Sequence, residues 1–600
     1  MCGIFGAINF NGYFNDSEIK QFKKLTNLVT YRGPDNYGFF INRQKNIFLG
    51  HRRLKILDLT DKANQPMQFK KKILIYNGEI FNYQEIKKTI LKNCNFSFES
   101  NSDTEIILKS LECFGNKIIN KWDGMWSFLL WDEEKQELLV SRDRFGIKPL
   151  FYLNFQNKLY FASEIKQLLP LLPKKEFNRK IIFHFLKQGI LDFDNETFFN
   201  KINRFPAGEI WEINKKGEIR RKKYWQFEPN ENFQISEKEA IEQFRDLLIK
   251  SIQKRLIADV PVGVLLSGGL DSSTIVALLV KYFKKDEIQT FSIIGDYKKF
   301  TEEIFIDEVI NKLQIKNRKI IVTANKIKFF IEKSLIAQDE PYSSLSIPAQ
   351  FYLFKEIKEH FNEVVILSGQ GGDEILGGYR KYFFFYIKEL IKQRKWNNLL
   401  ILLFHSFIHR TVLWQFNVLD AKRYMPNNQS EKCFLKDKFP LEPIWFMETL
   451  KKRQLKDIRK YSLPILTRYE DRNSMFHSLE VRHPFLDYKL LEFGINLSNN
   501  LKVKDGWLKY ILRKSIIELP NKIAWRRDKQ GFLLPQNLWL KRELKKELEN
   551  SLNSSALIIK NNIIDWDKLQ NYYYNSFKNI DYNLIFRIFI TEKWLQYHFR

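Results

Sequence analysis

Cysteine is scarce, with four in 600 residues. Cys2, Cys94, Cys113 and Cys433 show neither metal-ligand nor disulfide spacing, which excludes a zinc module and a disulfide-stapled scaffold. A reduced, cytoplasmic setting is therefore expected. Long apolar runs are missing too: no stretch reaches the roughly 18 residues of a membrane span. "FFFYI" and "LLILLFHSFI" are short and flanked by charge, so they read as pieces of buried helix. The N-terminus lacks the basic region of a secretory signal. Acid is in deficit, with 70 Asp and Glu against 98 Lys and Arg, a formal charge of +28. The basic residues are scattered and form no run. The excess reads as a solvated surface with a field that favours nucleotide phosphates, and no nucleic-acid partner is expected.

The length exceeds what one core can fill, so two or more domains are expected. Apolar residues at 44% and charged residues at 28% are ordinary globular values. The chain opens "MCGIFGAI". Trimming of the methionine would leave Cys2 with a free α-amine whose pKa is about 7.7–8. That amine can take the thiol proton and return it to a leaving amine, so one residue supplies nucleophile and base. Downstream, "YRGPDNYG" is turn-rich, Arg53 stands ahead of a strand in "LGHRRLKILDL", and "ILIYNGEIFNY" ends a strand in Asn77, Gly78 and Glu79. In "SNSDTEII", Asp103 begins a helix whose N–H groups its carboxylate could cap. A guanidinium and carboxylates at strand ends suit a small zwitterion. The Gly78 N–H and the Asn77 amide could face a developing oxyanion.

Residues 2–210 resemble the glutaminase domain of class II glutamine amidotransferases, which have an N-terminal-nucleophile hydrolase fold. "CGIFG", "RGPD", "HRRL", "YNGEI", "SDTE", "RDRFGIKPL" and "FASEIK" carry the resemblance, in the family's order. It implies that Cys2 attacks the glutamine carboxamide. It also implies that Arg53, Asn77, Gly78, Glu79 and Asp103 bind glutamine or stabilise the tetrahedral intermediate.

A polar connector at about 226–236 leads to a helix near Ser236, with Glu239 as its capping-box partner. Then "VGVLLSGGLDSSTIVALLV" sets an apolar strand, Val262 to Leu266, before a glycine loop and a helix expected from Thr274. Serine hydroxyls and a helix N-terminus can hold phosphate oxygens, but the Gly-Lys-Ser/Thr ending of a Walker A loop is missing. The loop resembles the PP-loop of ATP pyrophosphatases. A second unit, "EVVILSGQGGDEILGGYRKY", gives a strand Val364–Leu367 and a loop from Ser368. With "RYEDRNSMFHSLEVRHPFLDYKLLEF", "GWLKYILRKSI" and "RRDKQGFLLP", residues 236–600 look like the asparagine synthetase C-terminal domain. That resemblance implies ATP contacts from Leu265, Ser267, Gly268, Gly269, Asp271, Ser272, Ser368 and Gly369. It implies Mg2+ on Asp271 and Asp373, and Lys509 against charge developing on the phosphates. Arg482 and Asp487 read as structural.

The expected architecture is thus a two-domain chain. An N-terminal antiparallel β-sandwich of the N-terminal-nucleophile type, flanked by helices, precedes a C-terminal α/β parallel sheet with a PP-loop and added helices. The expected chemistry joins ammonia from glutamine to a carboxylate activated by ATP, releasing AMP and pyrophosphate. The resemblance implies aspartate as acceptor and Gln370 as an acceptor-binding residue. The family's best-established members carry Glu where Gln370 stands, so another carboxylate, such as a surface-polysaccharide uronic acid or a secondary-metabolite precursor, stays open. Nothing in the sequence excludes a homodimer.

Overall fold

The computed structural model describes residues 2–283, 288–297, 301–414, 434–444, 449–527, 534–575 and 580–600. Two six-stranded antiparallel sheets form the first domain. One runs in spatial order Ile202–Arg204, Phe151–Phe155, Lys158–Ala162, Gly3–Asn9, Ile47–Arg53, Asn36–Ile41. The other runs Ile219–Lys223, Glu209–Asn214, Glu137–Arg142, Gly124–Asp132, Lys72–Ile80, Met67–Phe69. Strand periodicity decides how the sheets pack. In "GIFGAIN", Ile4 and Ile8 point into a core shared with Leu129, Trp131 and Val140 of the facing sheet. Phe5 and Ala7 point to the other face, where the helix Asp16–Asn27 covers them with Phe22 and Leu25. The strand that follows Cys2 is therefore buried on both sides, and the thiol is fixed at its end.

The second domain is a five-stranded, all-parallel sheet in the order Lys316–Val322, Gln289–Gly295, Val262–Leu265, Val365–Leu367, Glu480–Arg482. Val262–Leu265 and Val365–Leu367 are neighbours, so the loops that leave them lie side by side. The helix Glu237–Arg255 starts at Ser236 with the reciprocal Ser236–Glu239 capping box. The helix after the glycine loop starts earlier than expected, at Leu270 instead of Thr274. The Ser273 N–H already donates to the Gly269 carbonyl, so Asp271 and Ser272 sit in the first helical turn. Among the described residues, no helix is long and apolar enough to cross a membrane.

The cysteine expectation needs correction. The helices Tyr83–Asn93 and Asp103–Phe114 pack together and pair Cys94 with Cys113 as a disulfide, with Cα atoms 6.3 Å apart. Spacing along the chain could not show this, because helix packing creates the proximity. Cys2 is a free cysteine, and Cys433 lies outside the described residues. Cysteine spacing therefore no longer argues for a reduced compartment.

The helix Leu463–Met475 ties the two domains together. Arg32, fully buried, donates through Nε to the Cys2 carbonyl at 3.1 Å. Its Nη1 pairs with Glu164 at 3.0 Å and with Asp471 of that helix at 2.9 Å. Burial works to raise the Glu164 carboxyl, but Arg472, Lys166 and Arg32 outweigh it and hold it well below the usual range. Losing one partner of such a cluster leaves carboxylates uncompensated. Arg32→Met is expected to cost about 3–5 kcal/mol in denaturant melts. A cost under about 1 kcal/mol, the size of an exposed pair, would mean the cluster does not hold the interface.

Candidate functional site

The structure gathers the sequence-predicted residues into two separate places. At the first, Cys2 is 7% exposed at the wall of a small cavity of about 30 Å³, which Arg53, Gly78, Glu79 and Asp103 also line. The Cys2 N–H donates to Asn77 Oδ1 at 3.0 Å. Asn77 Nδ2 is buried and has no hydrogen-bond partner among the described residues, an amide donor left open beside the thiol. Gly78 lies opposite Trp126, where a Cβ would run into the Met125 carbonyl, so backbone alone fits there. Burial pushes the Cys2 thiol up, while the Leu54 N–H and the Arg53 charge pull it down.

Arg53 has a local task as well. Its Nη1 donates to the Thr60 carbonyl and to Asn64 Oδ1, each at 2.7 Å, and Nη2 donates to the Asp58 carbonyl. The guanidinium thereby frames the loop over the cavity. Asp103 is not the helix cap that was expected. Ser102 caps instead, and Asp103 turns inward to accept from Tyr76 Oη at 2.8 Å and from the Ile80 N–H at 2.9 Å. Burial raises the Asp103 carboxyl to about 6. Burial, then the nearby Asp103, raises Glu79 well above its ordinary value. Arg482 of the second domain comes within 3.5 Å of Glu79, while donating to the Arg255 carbonyl at 2.9 Å and the Ile257 carbonyl at 2.6 Å. Asp487 caps the helix Tyr488–Asn496. Asp487 thus has a structural task, while Arg482 also reaches a residue of the cavity wall.

The second place is a cavity of about 470 Å³ at the C-terminal ends of the central strands. Leu265, Ser267, Gly269, Asp271, Ser272, Ser368, Gly369, Gln370, Asp373 and Lys509 all line it. Gly268 does not; its φ of +73° makes the turn, and a Cβ would press on the Ile306 backbone. Ser272 Oγ accepts from the Ser267 N–H at 3.1 Å and closes the loop against the helix start. Lys509 Nζ lies 2.5 Å from both Asp271 Oδ2 and Asp373 Oδ1. Burial opposes its charge, but the two carboxylates outweigh burial and hold it above the ordinary lysine range. The two carboxylates thus converge on one point, which the Lys509 ammonium occupies.

Sequence reasoning missed three features here. Gly378 has no room for a Cβ, which would collide with both the Asp373 carboxylate and the Lys509 stem. Arg513, on the wall, is lowered to about 10 by burial. Its place four residues after Lys509 in "LKYILR" was a readable signal. Arg526, paired with Glu302 at 2.7 Å, gave no such signal.

Residues 1–225 match the family model described as glutamine amidotransferase domain, and residues 243–596 match the one described as asparagine synthase. The chain is 27% identical to "Asparagine synthetase [glutamine-hydrolyzing] 1" of Bacillus subtilis, over 92% of this chain and 90% of that one. It is 34% identical to "Putative asparagine synthetase [glutamine-hydrolyzing] 2" of Methanocaldococcus jannaschii, over 66% of this chain and 78% of that one. Among solved structures, glutamine phosphoribosylpyrophosphate amidotransferase from B. subtilis aligns with 44% of this chain and 60% of its own, at 17% identity and a TM-score of 0.29.

Proposed function

Because the chain belongs to the glutamine-hydrolysing asparagine synthetase family, we propose that it cleaves glutamine at Cys2 and passes the ammonia to aspartate activated by ATP as β-aspartyl-AMP. The products are asparagine, glutamate, AMP and pyrophosphate. The observation that carries this reading is the meeting of Lys509, Asp271 and Asp373 in a cavity walled by both glycine loops. A free carboxylate is a poor electrophile, and adenylation makes it a good one. In that cavity Ser267, Ser272, Gly269 and the helix start at Leu270 receive the phosphates. Lys509 neutralises charge as pyrophosphate leaves. Asp271 and Asp373 are the residues that would hold Mg2+, which would supply further neutralisation there.

At the first site the Cys2 thiol attacks the glutamine carboxamide carbon. Its own chain-end amine, exposed once Met1 is removed, takes the thiol proton and returns it to the departing ammonia, and water then cleaves the glutamyl thioester, releasing glutamate and restoring the thiol. Asn77 Nδ2 and the Gly78 N–H face the oxyanion. Arg53 holds the substrate carboxylate, while Glu79 and Asp103 hold its ammonium. With Asp103 raised to about 6, its charge is present above that pH and lost below it. The KM for glutamine is expected to climb as pH falls through about 6, with much less change in an Asp103→Asn variant. A KM that stays flat across this range in the native enzyme would remove Asp103 from ammonium binding.

Gln370 favours a second reading. It lies on the cavity wall as a neutral amide where a carboxylate would pair with an acceptor's ammonium group. A carboxylate without an α-amine, such as a uronic acid, fits such a wall equally well. Release of pyrophosphate and AMP, measured over a panel of carboxylates with aspartate first, decides between them. ADP as the spent nucleotide would overturn both readings.

A further inference from the structure

Two consecutive carboxylates on the helix Leu463–Met475 face different sites. Asp471 pairs with Arg32, which holds the Cys2 carbonyl. Glu470 stands behind the wall of the nucleotide cavity, its Oε1 accepting at 2.8 Å from the Oγ of Ser368, which lines that wall. Glu470 is 2% exposed, and its Oε2 has no hydrogen-bond partner among the described residues. Oε2 lies 3.5 Å from His483 Nδ1, which also has none. An oxygen buried without a partner costs stability, so a carboxyl here is a poor choice for a purely structural position.

The acids that line the cavity are committed. Asp271 and Asp373 are paired with Lys509, and Glu302 is paired with Arg526. Gln370 cannot accept a proton from an amine. Five further charged pairs lie on the elements around Glu470. Asp471 pairs with Arg32, Arg472 with Glu164, Arg468 with Glu340, Glu480 with Arg482, and Lys355 with Glu359. His483 is driven down to about 3 by burial, with Lys148 and Arg255 acting the same way, so it faces Glu470 as a neutral ring. Burial pushes the Glu470 carboxyl up to about 7, against the Ser368 hydrogen bond.

We propose that Glu470, acting through the Ser368 hydroxyl, accepts the proton that the attacking nitrogen must lose when the activated carboxyl becomes an amide. The proposal rests on the adenylating reading above. Ammonia forms the N–C bond at the acyl carbon, and the carbonyl pair moves onto oxygen. The nitrogen's proton passes to Ser368 Oγ while the Ser368 proton passes to Glu470. The carbonyl re-forms, the bond from carbon to the phosphate oxygen breaks, and AMP leaves with that electron pair. Glu470 then gives its proton to water. Glu470 is a positioning and relay group, since Ser368 stands between it and the reacting atoms.

The test is a quenched time course of the full chain with ATP, Mg2+, the carboxylate that supports pyrophosphate release, and hydroxylamine as the nitrogen donor. In Glu470→Gln the acyl-adenylate should accumulate, and its conversion to hydroxamate should slow by about 10²-fold. The native conversion rate should rise with pH through about 7, since the relay needs Glu470 ionised, and this rise should be absent from Glu470→Gln. Glu470→Asp should recover part of the rate. Native conversion in Glu470→Gln, or an unchanged pH limb, overturns the relay alone. Absence of any acyl-adenylate in the native protein when the nitrogen donor is left out overturns the adenylating reading and the relay with it. Should Glu470→Gln fail to fold, Ser368→Ala breaks the same path, and native conversion of the adenylate in that variant would overturn the proposal.

Discussion

Cys2→Ala is expected to lower glutamine-dependent amide formation by about 10⁴-fold or more, while ammonium salts continue to support synthesis. The size follows from losing the thiol on which the proposed hydrolysis rests. Among the described residues, Cys2 is the free cysteine. On the proposed reading, Asn77, Glu79 and Asp103 bind or orient glutamine and supply no nucleophile of their own. Selectivity for the nitrogen source follows from separation. The thiol belongs to the end of an antiparallel strand in one domain, and the nucleotide cavity to the strand ends of a parallel sheet in the other. The substitution removes only the sulfur; the Cys2 N–H, its partner Asn77 and the carbonyl held by Arg32 remain. The measurement is amide formed with glutamine and with ammonium chloride, alongside a melting curve. Loss of both activities in a well-folded variant would contradict the two-site scheme.

How far the sequence could be read depends on how local each determinant is. The Ser236–Glu239 capping box spans four residues, and it forms as written. The two strand-and-glycine-loop units were also readable, because short apolar strands before glycine loops leave few alternatives. The helix start at Leu270 was misplaced by four residues, since the Gly269 carbonyl begins the helical ladder before the apolar run does. Determinants made by tertiary packing left no mark. Arg32 and Asp471 lie 439 positions apart, Ser368 and Glu470 lie 102 apart, and nothing in either neighbourhood announces the partner. Asp103 stands at the helix start as expected, but the capping role falls to Ser102. A capping residue and an inward-turned carboxylate look identical in "SNSDTE" until Tyr76 is seen beside it. The Cys94–Cys113 pair was missed for the same reason.

Lys509→Met is expected to cut carboxylate-dependent pyrophosphate release by about 10²–10³-fold, with glutamine hydrolysis at Cys2 retained. Lys509 is 4% exposed, and its ammonium is the cation shared by Asp271 and Asp373. On the adenylating reading, negative charge grows at the point those groups surround as pyrophosphate leaves, and methionine keeps the stem while removing the charge. The backbone adds a second argument. Lys509 has φ +54° and ψ +37°, a left-handed conformation that costs a non-glycine residue about 1 kcal/mol or more. Glycine would sit there without strain, so a lysine kept in that conformation points to its side chain as the reason. Arginine is a poor replacement, because a planar fork cannot fill the place of a compact ammonium beside Gly378, where even a Cβ has no room. Lys509→Arg should therefore recover little of the rate. If Lys509→Met released pyrophosphate at the native rate, the cation between the two carboxylates would be an ion pair of the fold, and the charge on the leaving group would have to be met by Arg513 or Arg526 on the same wall.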